Sequence, residues 1–275
     1  MIVVSAASGA FGSTVLELLA DRLPAGEIVA AVRDPSRVTG LAARGITVRR
    51  GDYDDADSLR AAFAGADRLL LISSPELDPE RRTRQHRTAI DAARAAGVKA
   101  VAYTSFLGAD TPRPGMPDAH HATEEALRDS GLPCTLLRHP FYSEGFLDAA
   151  VLRETAATGT LPDGTGGRGL NTALRADLAE AAVRVLTEDG HLGRAYDLTG
   201  EPWTMPRLAD TLSRLLGTPV TTAERAEPAP GARGMLEGLV RAGVLERTTG
   251  DLRAVLGRPA TGLDDAVARV LGIAR

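Results

Sequence analysis

The sequence has few of the side chains on which many protein chemistries depend. Lys99 is the single lysine, Cys134 is the single cysteine, and aromatic residues make up 4% of the 275 residues. A lone cysteine excludes a disulfide within the chain. A lone lysine excludes every mechanism that needs two lysine side chains.

Charge and hydropathy argue against two classes of partner. The formal net charge is −4, which disfavours general binding to a phosphate backbone. No apolar run approaches the length that spans a membrane. Cys134 lies in the apolar stretch 134–137 and is predicted to be a buried strand residue rather than a nucleophile. We therefore expect a cytoplasmic monomer or homodimer that acts on a small molecule, without a nucleic-acid or membrane partner.

Apolar runs alternate with helical patterns through the first half of the chain. Six runs predict buried parallel strands, at residues 2–4, 28–32, 46–48, 69–72, 98–103 and 135–137. Helix signals lie between them, such as Asp78-Pro79 before one helix and Gly97 after it. This alternation predicts an α/β fold of the Rossmann type, with a doubly wound parallel sheet and a smaller C-terminal substrate lobe.

The pattern changes after Pro140. Residues 141–158 and 175–186 are predicted to be helical, and residues 195–198 to be a short strand that returns to the main sheet. The expected domains are residues 1–140 with a return segment at about 171–199, and a lobe of residues 141–170 and 200–275. A second glycine pattern at 164–169 has no apolar strand before it and no helix that opens at its glycines, and we interpret it as a loop or a hairpin turn.

The first 33 residues predict a dinucleotide site. The strand at 2–4, the turn with Gly9 and Gly12, and the helix that follows form the start of a βαβ unit. Such a unit presents a helix N-terminus to a pyrophosphate. Arg33 ends the second strand, where a carboxylate would favour NAD and an arginine suits the 2′-phosphate of NADPH. Ala6 stands where a first glycine normally makes the turn. An alanine is expected to tolerate the turn only with a negative φ, so nucleotide affinity could be reduced.

Polar residues follow the other strands at the edge of the sheet where ligands bind. Asp52 follows the third strand and is interpreted either as an acceptor for an adenine amino group or as the cap of the next helix. Ser73 and Ser74 follow the fourth strand and carry small hydroxyls beside which a cofactor can lie flat. Ser105 ends the fifth strand, and residues 138–142 follow the sixth.

Several motifs occur in order along the chain, among them SAASGAFG, AVRDPSR, GDYDD, LLLISSPE, TLLRHPFYSEGF, RADLAEAA and YDLTG. Together they resemble the NmrA-like atypical short-chain dehydrogenases, in particular their NADPH-dependent quinone reductase branch. The resemblance implies an NADP(H) cofactor and a set of contacts to it, with Arg37 assisting at the 2′-phosphate. The implied contacts are Ser8, Gly9, Ala10, Phe11, Gly12, Arg33, Ser73, Ser74, Pro140, Phe141 and Tyr142.

The expected catalytic residues depart from the classical pattern. Classical members use a serine with Tyr-x-x-x-Lys, and no tyrosine here has a lysine four residues later. Ser105 matches the serine, and the resemblance places His120 near the tyrosine position. Glu124 lies four residues after His120 on the same helix face, so it could orient or charge the imidazole; a solvated surface pair is the alternative. Tyr142 is the other candidate proton donor.

Three functions are compatible with these features. The leading hypothesis is an NADPH-dependent oxidoreductase that transfers hydride to a quinone or a related conjugated or aromatic carbonyl. The missing Tyr–Lys pair leaves open a redox sensor that binds NADP(H) without turnover. Ala6 leaves open a non-redox enzyme, such as a cyclase or dehydratase, on the same scaffold. No metal ligand set is expected.

Overall fold

The computed structural model describes residues 1–112, 115–227 and 229–273. The chain forms two compact units. The first consists of Met1–Arg138 and Leu178–Tyr196, and the second of His139–Asp177 and Asp197–Arg275. Among the described residues, no helix is long and apolar enough to cross a bilayer.

The first unit alternates strands and helices. Its strands are β1 (Ile2–Val4), β2 (Ile28–Val32), β3 (Thr47–Arg50), β4 (Arg68–Leu71), β5 (Ala100–Phe106) and β6 (Cys134–His139). Its helices are α1 (Ala10–Ala20), α2 (Thr39–Ala43), α3 (Ala56–Phe63), α4 (Pro79–Ala95) and α5 (Met116–Asp129). Short 3₁₀ turns occupy Ala25–Glu27 and Pro35–Val38.

A seven-stranded sheet organises this unit. Beyond β6 the chain enters the second unit, where it forms β7 (Phe141–Tyr142), α6 (Ala149–Thr158), β8 (Thr160–Asp163) and β9 (Leu170–Ala173). It returns to the sheet of the first unit through α7 (Arg175–Thr187) and β10 (Ala195–Asp197). The strand order is β10-β6-β5-β4-β1-β2-β3, and the pairs β1–β2, β1–β4, β2–β3 and β4–β5 are parallel. The order reverses between β4 and β1, so the ligand crevice of such a sheet lies beyond the carboxyl ends of these two strands.

The apolar runs form strands because both faces of the sheet are covered. Every residue of β1, β2 and β5 is buried, and Val3 pairs in register with Val29 and Leu69. These side chains pack with Leu59, Phe63 and others in one apolar core. The six predicted strands and the returning strand are present, with ends that differ from the predicted ones by at most three residues. The prediction that all six are buried is wrong for β3, which lies at the edge of the sheet and has exposed and half-buried residues.

The second unit has two small sheets and its own core. Besides the elements already named, it contains β11 (Pro202–Trp203), α8 (Met205–Leu216), β12 (Thr221–Glu224), α9 (Gly231–Arg241), α10 (Asp251–Leu256) and α11 (Leu263–Leu271). Strands β11, β9 and β7 form one sheet, and β12 pairs in parallel with β8 in the other. Trp203, Phe146, Leu208 and neighbouring apolar side chains form its core.

Two predictions for the second unit need correction. The helix predicted over 141–158 is confined to Ala149–Thr158, because residues 141–142 pair as a strand and Asp148 caps the helix by accepting from the amides of Ala150 and Val151. Residues 164–169 form a loop, as predicted, but not a hairpin turn, since β8 and β9 belong to different sheets.

Candidate functional site

The turn between β1 and α1 contains the one positive φ of a non-glycine residue among the described residues. Ala6 has a φ of 46°, so the expectation of a negative φ was wrong. The turn is closed by the Gly9 amide, which donates to the Ala6 carbonyl at 3.1 Å, and the Ala7 amide donates to the Ala31 carbonyl at 3.2 Å. The chain therefore adopts the tight turn that a glycine normally makes, with an alanine in the left-handed region.

The glycines after this turn differ in what they permit. A Cβ on Gly12 would lie 2.8 Å from Ala7 Cα and 2.9 Å from the Ala6 carbonyl oxygen, so Gly12 is required for α1 to pack on the turn. A Cβ on Gly9 would meet just the Ala6 carbonyl oxygen within 4 Å, at 3.4 Å, and Gly9 is exposed. No side chain caps α1 at Gly9, so the helix N-terminus is open to an anion. Ser8 and Ala10 are also exposed, whereas Phe11 is buried.

Two exposed arginines follow β2. The carboxylate between them, Asp34, accepts from the Ser36 amide at 3.0 Å and the Ser36 hydroxyl at 2.6 Å. These hydrogen bonds lower the pKa of Asp34, and the charges of Arg37 and Arg33 lower it further. The Asp34 carboxylate is thus tied to its own turn, while Arg33 and Arg37 are both exposed to solvent near it. This arrangement fits a 2′-phosphate.

Asp52 does not cap the next helix. Asp55 is the N-cap of α3, and its carboxylate accepts from the Ser58 amide at 3.0 Å. Asp52 is half-buried at the end of β3, and its carboxylate accepts from the Asp54 amide at 3.1 Å. Of the two interpretations of Asp52, the contact with adenine is therefore the one that stays a prediction.

The two serines after β4 have different environments. Ser74 is buried, and its hydroxyl donates to Gln85 Oε1 at 2.5 Å, so it is directed into the protein rather than towards a ligand. Ser73 is half-buried, with its amide donating to Thr104 Oγ1 at 2.8 Å. The Ser73 hydroxyl lies 3.4 Å from Nε2 of His86, and its contact with a cofactor stays a prediction.

A fully buried histidine, which the sequence reasoning missed, anchors this loop. The Ser74 amide donates to Nε2 of His86 at 2.9 Å, so Nε2 carries no proton. The Thr123 hydroxyl donates to the Ala119 carbonyl at 2.8 Å and therefore accepts from Nδ1–H of His86, also at 2.8 Å. Burial lowers the pKa of His86 to about 3. His86 is a neutral structural residue that holds the end of β4 against α5.

His120 is buried beside the same cluster. Its Nδ1 lies 2.9 Å from the hydroxyl of Tyr103, and its ring packs 5.8 Å from that of Phe106, centroid to centroid. Burial raises the pKa of Tyr103, so the phenol stays protonated. The predicted alternative of a solvated His120–Glu124 pair is wrong, because both side chains are buried. Its neighbour His121 is half-buried, with Nδ1 2.9 Å from the Ala109 carbonyl.

Glu124 forms a buried ionic network with Ser105. The Ser105 hydroxyl donates to Glu124 Oε1 at 2.6 Å, and Arg138 binds both carboxylate oxygens, at 2.8 and 2.7 Å. Arg128 adds a contact to Oε2 at 2.9 Å. The Ser105 proton is therefore committed to a carboxylate whose charge is compensated by two guanidinium groups.

The remaining predicted residues belong to the second unit. Pro140 is buried, and Phe141 is half-buried in β7 against the core of that unit. Burial raises the pKa of Tyr142 to about 12, and the guanidinium of Arg175 lies 5.2 Å from the centre of its ring. His139, 6.2 Å from that ring, has its pKa lowered to about 3 by burial.

The residues missed from the sequence are His86 and Tyr103, whereas Arg138 was among the residues placed at the end of the sixth strand without a role. The spacing of Arg82 and His86 on the inner face of α4 was the available signal for His86, since a polar residue on a buried helix face needs a partner. Among the described residues, no group of three His, Cys, Asp or Glu side chains could hold a metal ion.

Comparison with known proteins places this geometry in a family. Residues 6–189 match the NAD(P)H-binding family. The chain is 40% identical to quinone oxidoreductase 2 of Escherichia coli, over 99% of both chains. It is 30% identical to an NmrA-like family domain-containing oxidoreductase of Aspergillus flavus, over 98% of this chain and 94% of that one. The crystal structure of triphenylmethane reductase from Citrobacter sp. complexed with NADP(H) superposes with a TM-score of 0.92, at 34% identity, over 98% of this chain and 100% of that one.

Proposed function

The chain belongs to the NAD(P)H-binding family and to its NmrA-like members, and from this premise we propose that it is an NADPH-dependent oxidoreductase that transfers hydride to a quinone or a related conjugated or aromatic carbonyl. The E. coli relative is a quinone oxidoreductase and the Citrobacter relative a triphenylmethane reductase. Both names describe acceptors with extended conjugated systems, which accords with the acceptor class predicted from the sequence.

The observation that carries the cofactor assignment is the surface formed after β1 and β2. The uncapped N-terminus of α1 lies at the reversal of strand order, with Gly9 open to solvent. Arg33 and Arg37 follow the neighbouring strand. A pyrophosphate on the helix and a 2′-phosphate on the arginines would use both features at once. The proposed contacts are Ser8, Gly9, Ala10, Phe11, Gly12, Arg33, Arg37, Asp52, Ser73, Ser74, Pro140 and Phe141, with Ser74 acting through its backbone.

NADPH supplies a hydride, and with one proton from water or a side chain it converts a quinone to a hydroquinone, leaving NADP⁺. Aromatisation drives quinone reduction, so that reaction places a small demand on acid catalysis. We assign to His120 the protonation of an acceptor oxygen, with Tyr142 as the alternative donor. Ser105 acts as a positioning residue, because its proton is already held by Glu124.

A substrate screen tests the function. Oxidation of NADPH, followed at saturating cofactor, is measured against matched panels of quinones, conjugated enones and simple ketones. We expect turnover with quinones and enones that exceeds turnover with ketones. NADPH binding without oxidation by any acceptor would instead support a sensor, and absence of NADPH binding would leave the non-redox alternative. The cytoplasmic location and the monomeric or homodimeric state are part of this proposal, and size-exclusion chromatography with light scattering measures the latter.

A further inference from the structure

Arg82 is a buried cation for which the described residues provide no partner. Its side chain is 9% exposed, and its Nε is buried without a hydrogen-bond acceptor. No described residue forms an ion pair or a side-chain hydrogen bond with it. The other arginines on this helix that lie near carboxylates are exposed, for example Arg81 with Asp54 and Arg84 with Glu80.

The position of Arg82 on α4 places it at the ligand edge of the sheet. His86, four residues later on the same helix face, already contacts the loop that follows β4. Arg82 lies one helical turn, about 5.4 Å, closer to the start of α4. Because a helix that follows a parallel strand begins at that strand's carboxyl end, this step leads towards the ligand crevice.

The groups that face Arg82 do not neutralise it. Its charge interacts with Tyr103 and Glu76, and it contributes to the low pKa of His86. Tyr103 and His86 are uncharged. The Glu76 carboxylate accepts from the Leu77 amide at 2.9 Å and pairs with Arg81 at 3.2 Å. The Nε of Arg82 is thus buried without an acceptor, and the Glu76 carboxylate, whose charge acts on Arg82, is shared with Arg81. A buried donor without an acceptor destabilises the fold, so its presence here points to an anionic ligand that completes the hydrogen bonding.

We propose that Arg82 binds the acceptor oxygen that carries negative charge, and that it thereby favours acceptors that are already anionic. This inference rests on the proposed function. When hydride adds to a quinone, two electrons enter the acceptor and the negative charge falls on a quinone oxygen until a proton reaches it. A guanidinium in a desolvated position stabilises that oxygen and binds an enolate or hydroxyquinone anion directly.

The first measurement uses binding rather than turnover. The probes are 2-hydroxy-1,4-naphthoquinone, an anion at neutral pH, and its neutral 2-methyl analogue, each titrated calorimetrically into protein saturated with NADP⁺. In Arg82→Met we expect the Kd of the anion to rise about 10- to 100-fold, the effect of losing one charge-assisted hydrogen bond. The Kd of the neutral analogue should change much less. Arg84→Met, which removes the same charge from an exposed position of α4, is the matched control and should change neither Kd.

Thermal unfolding separates a binding role from a structural one. Removing an uncompensated buried charge should leave the Tm of Arg82→Met unchanged or raised. A marked fall in Tm with equal loss of both naphthoquinones would assign Arg82 to the structure and overturn the proposal. An increase in the Kd of NADPH matching that of the anion would assign it to the cofactor and overturn the proposal as well. Arg82→Lys, which keeps the charge, should recover part of the affinity for the anion.

The two proposals fail differently. If the wild-type protein binds the anion through Arg82 but oxidises NADPH with no quinone, the proposed function fails and the anion site stands. If quinones are reduced but Arg82→Met leaves both naphthoquinone Kd values unchanged, the anion site alone is refuted. If the wild-type protein does not bind the anionic naphthoquinone, the anion site is refuted whatever the turnover.

Discussion

Replacement of Ala6 by glycine should stabilise this protein, although glycine usually destabilises. At a φ of 46°, the alanine Cβ is in the left-handed region, which costs a non-glycine residue about 1–2 kcal/mol. Replacement by glycine removes this cost, but it also makes the unfolded chain more flexible, which lowers the free energy of unfolding by about 0.5–1 kcal/mol. The Cβ of Ala6 also packs against the core of the first unit. Since the lost packing takes away part of this difference, the net expectation is a gain of up to about 1 kcal/mol in the free energy of unfolding, and a rise in Tm of up to about 4 °C.

Urea denaturation and thermal unfolding of Ala6→Gly measure this gain, and titration with NADPH should show an affinity that is preserved or improved. The matched control is Ala61→Gly at an exposed position inside α3, where helical backbone makes the same substitution unfavourable by about 0.5–1 kcal/mol. The two variants should therefore move the Tm in opposite directions. A loss of stability in Ala6→Gly equal to that in Ala61→Gly would refute the claim that the turn strains its alanine.

Replacing Arg33 by alanine should weaken NADPH binding by about 1–3 kcal/mol and spare NADH, because a charge-assisted contact to the 2′-phosphate is lost; calorimetry with both nucleotides decides it, and equal wild-type affinities for the two would contradict it. Gly9→Val should abolish NADPH binding without changing the circular dichroism, since the added side chain would occupy open space before α1; normal binding would place the pyrophosphate elsewhere. His120→Ala, assayed at saturating NADPH, should lower carbonyl reduction about 10²–10⁴-fold and quinone reduction less; unchanged turnover would remove His120 from the mechanism, and a loss in Tyr142→Phe alone would transfer the role to Tyr142. His86 has a pKa of about 3 when folded and a usual value of 6.5, so the stability it contributes is complete above pH 6.5 and is lost as the pH falls towards 3. At pH 5 the free energy of unfolding should be about 2 kcal/mol lower than at pH 7 through this histidine alone. In His86→Gln, the free energy of unfolding should not show this decrease between pH 7 and pH 5.

The fold of the first unit was predictable because its central strands β1, β2 and β5 are buried along their whole length. Continuous apolar runs such as 28–32 have no other stable placement in a chain this rich in helix signals, and the resemblance to the NmrA-like family is confirmed by the relatives. The segment 141–158 was mispredicted because its first residues pair with residues of β9 that lie 31 positions later. Local propensity carries no information on such a partner, and the Asp148 cap, not the apolar pattern, sets where α6 begins.

In the candidate site, the backbone features could be predicted from the sequence, whereas the contacts between side chains could not. The turn after β1, Gly12 and the N-terminus of α1 follow from a local motif, so the sequence was enough to predict their positions. The backbone φ of Ala6 within that turn was predicted wrongly. The side-chain network does not follow from local spacing. His120 and Glu124 are four residues apart on one helix, yet the partners of Glu124 include Ser105 and Arg138, which come from β5 and β6. Which of these buried polar groups are satisfied depends on strand order in the sheet. For the same reason Arg82, whose Nε has no acceptor among the residues that the structure describes, can be proposed as a binding residue from the fold but not from the sequence.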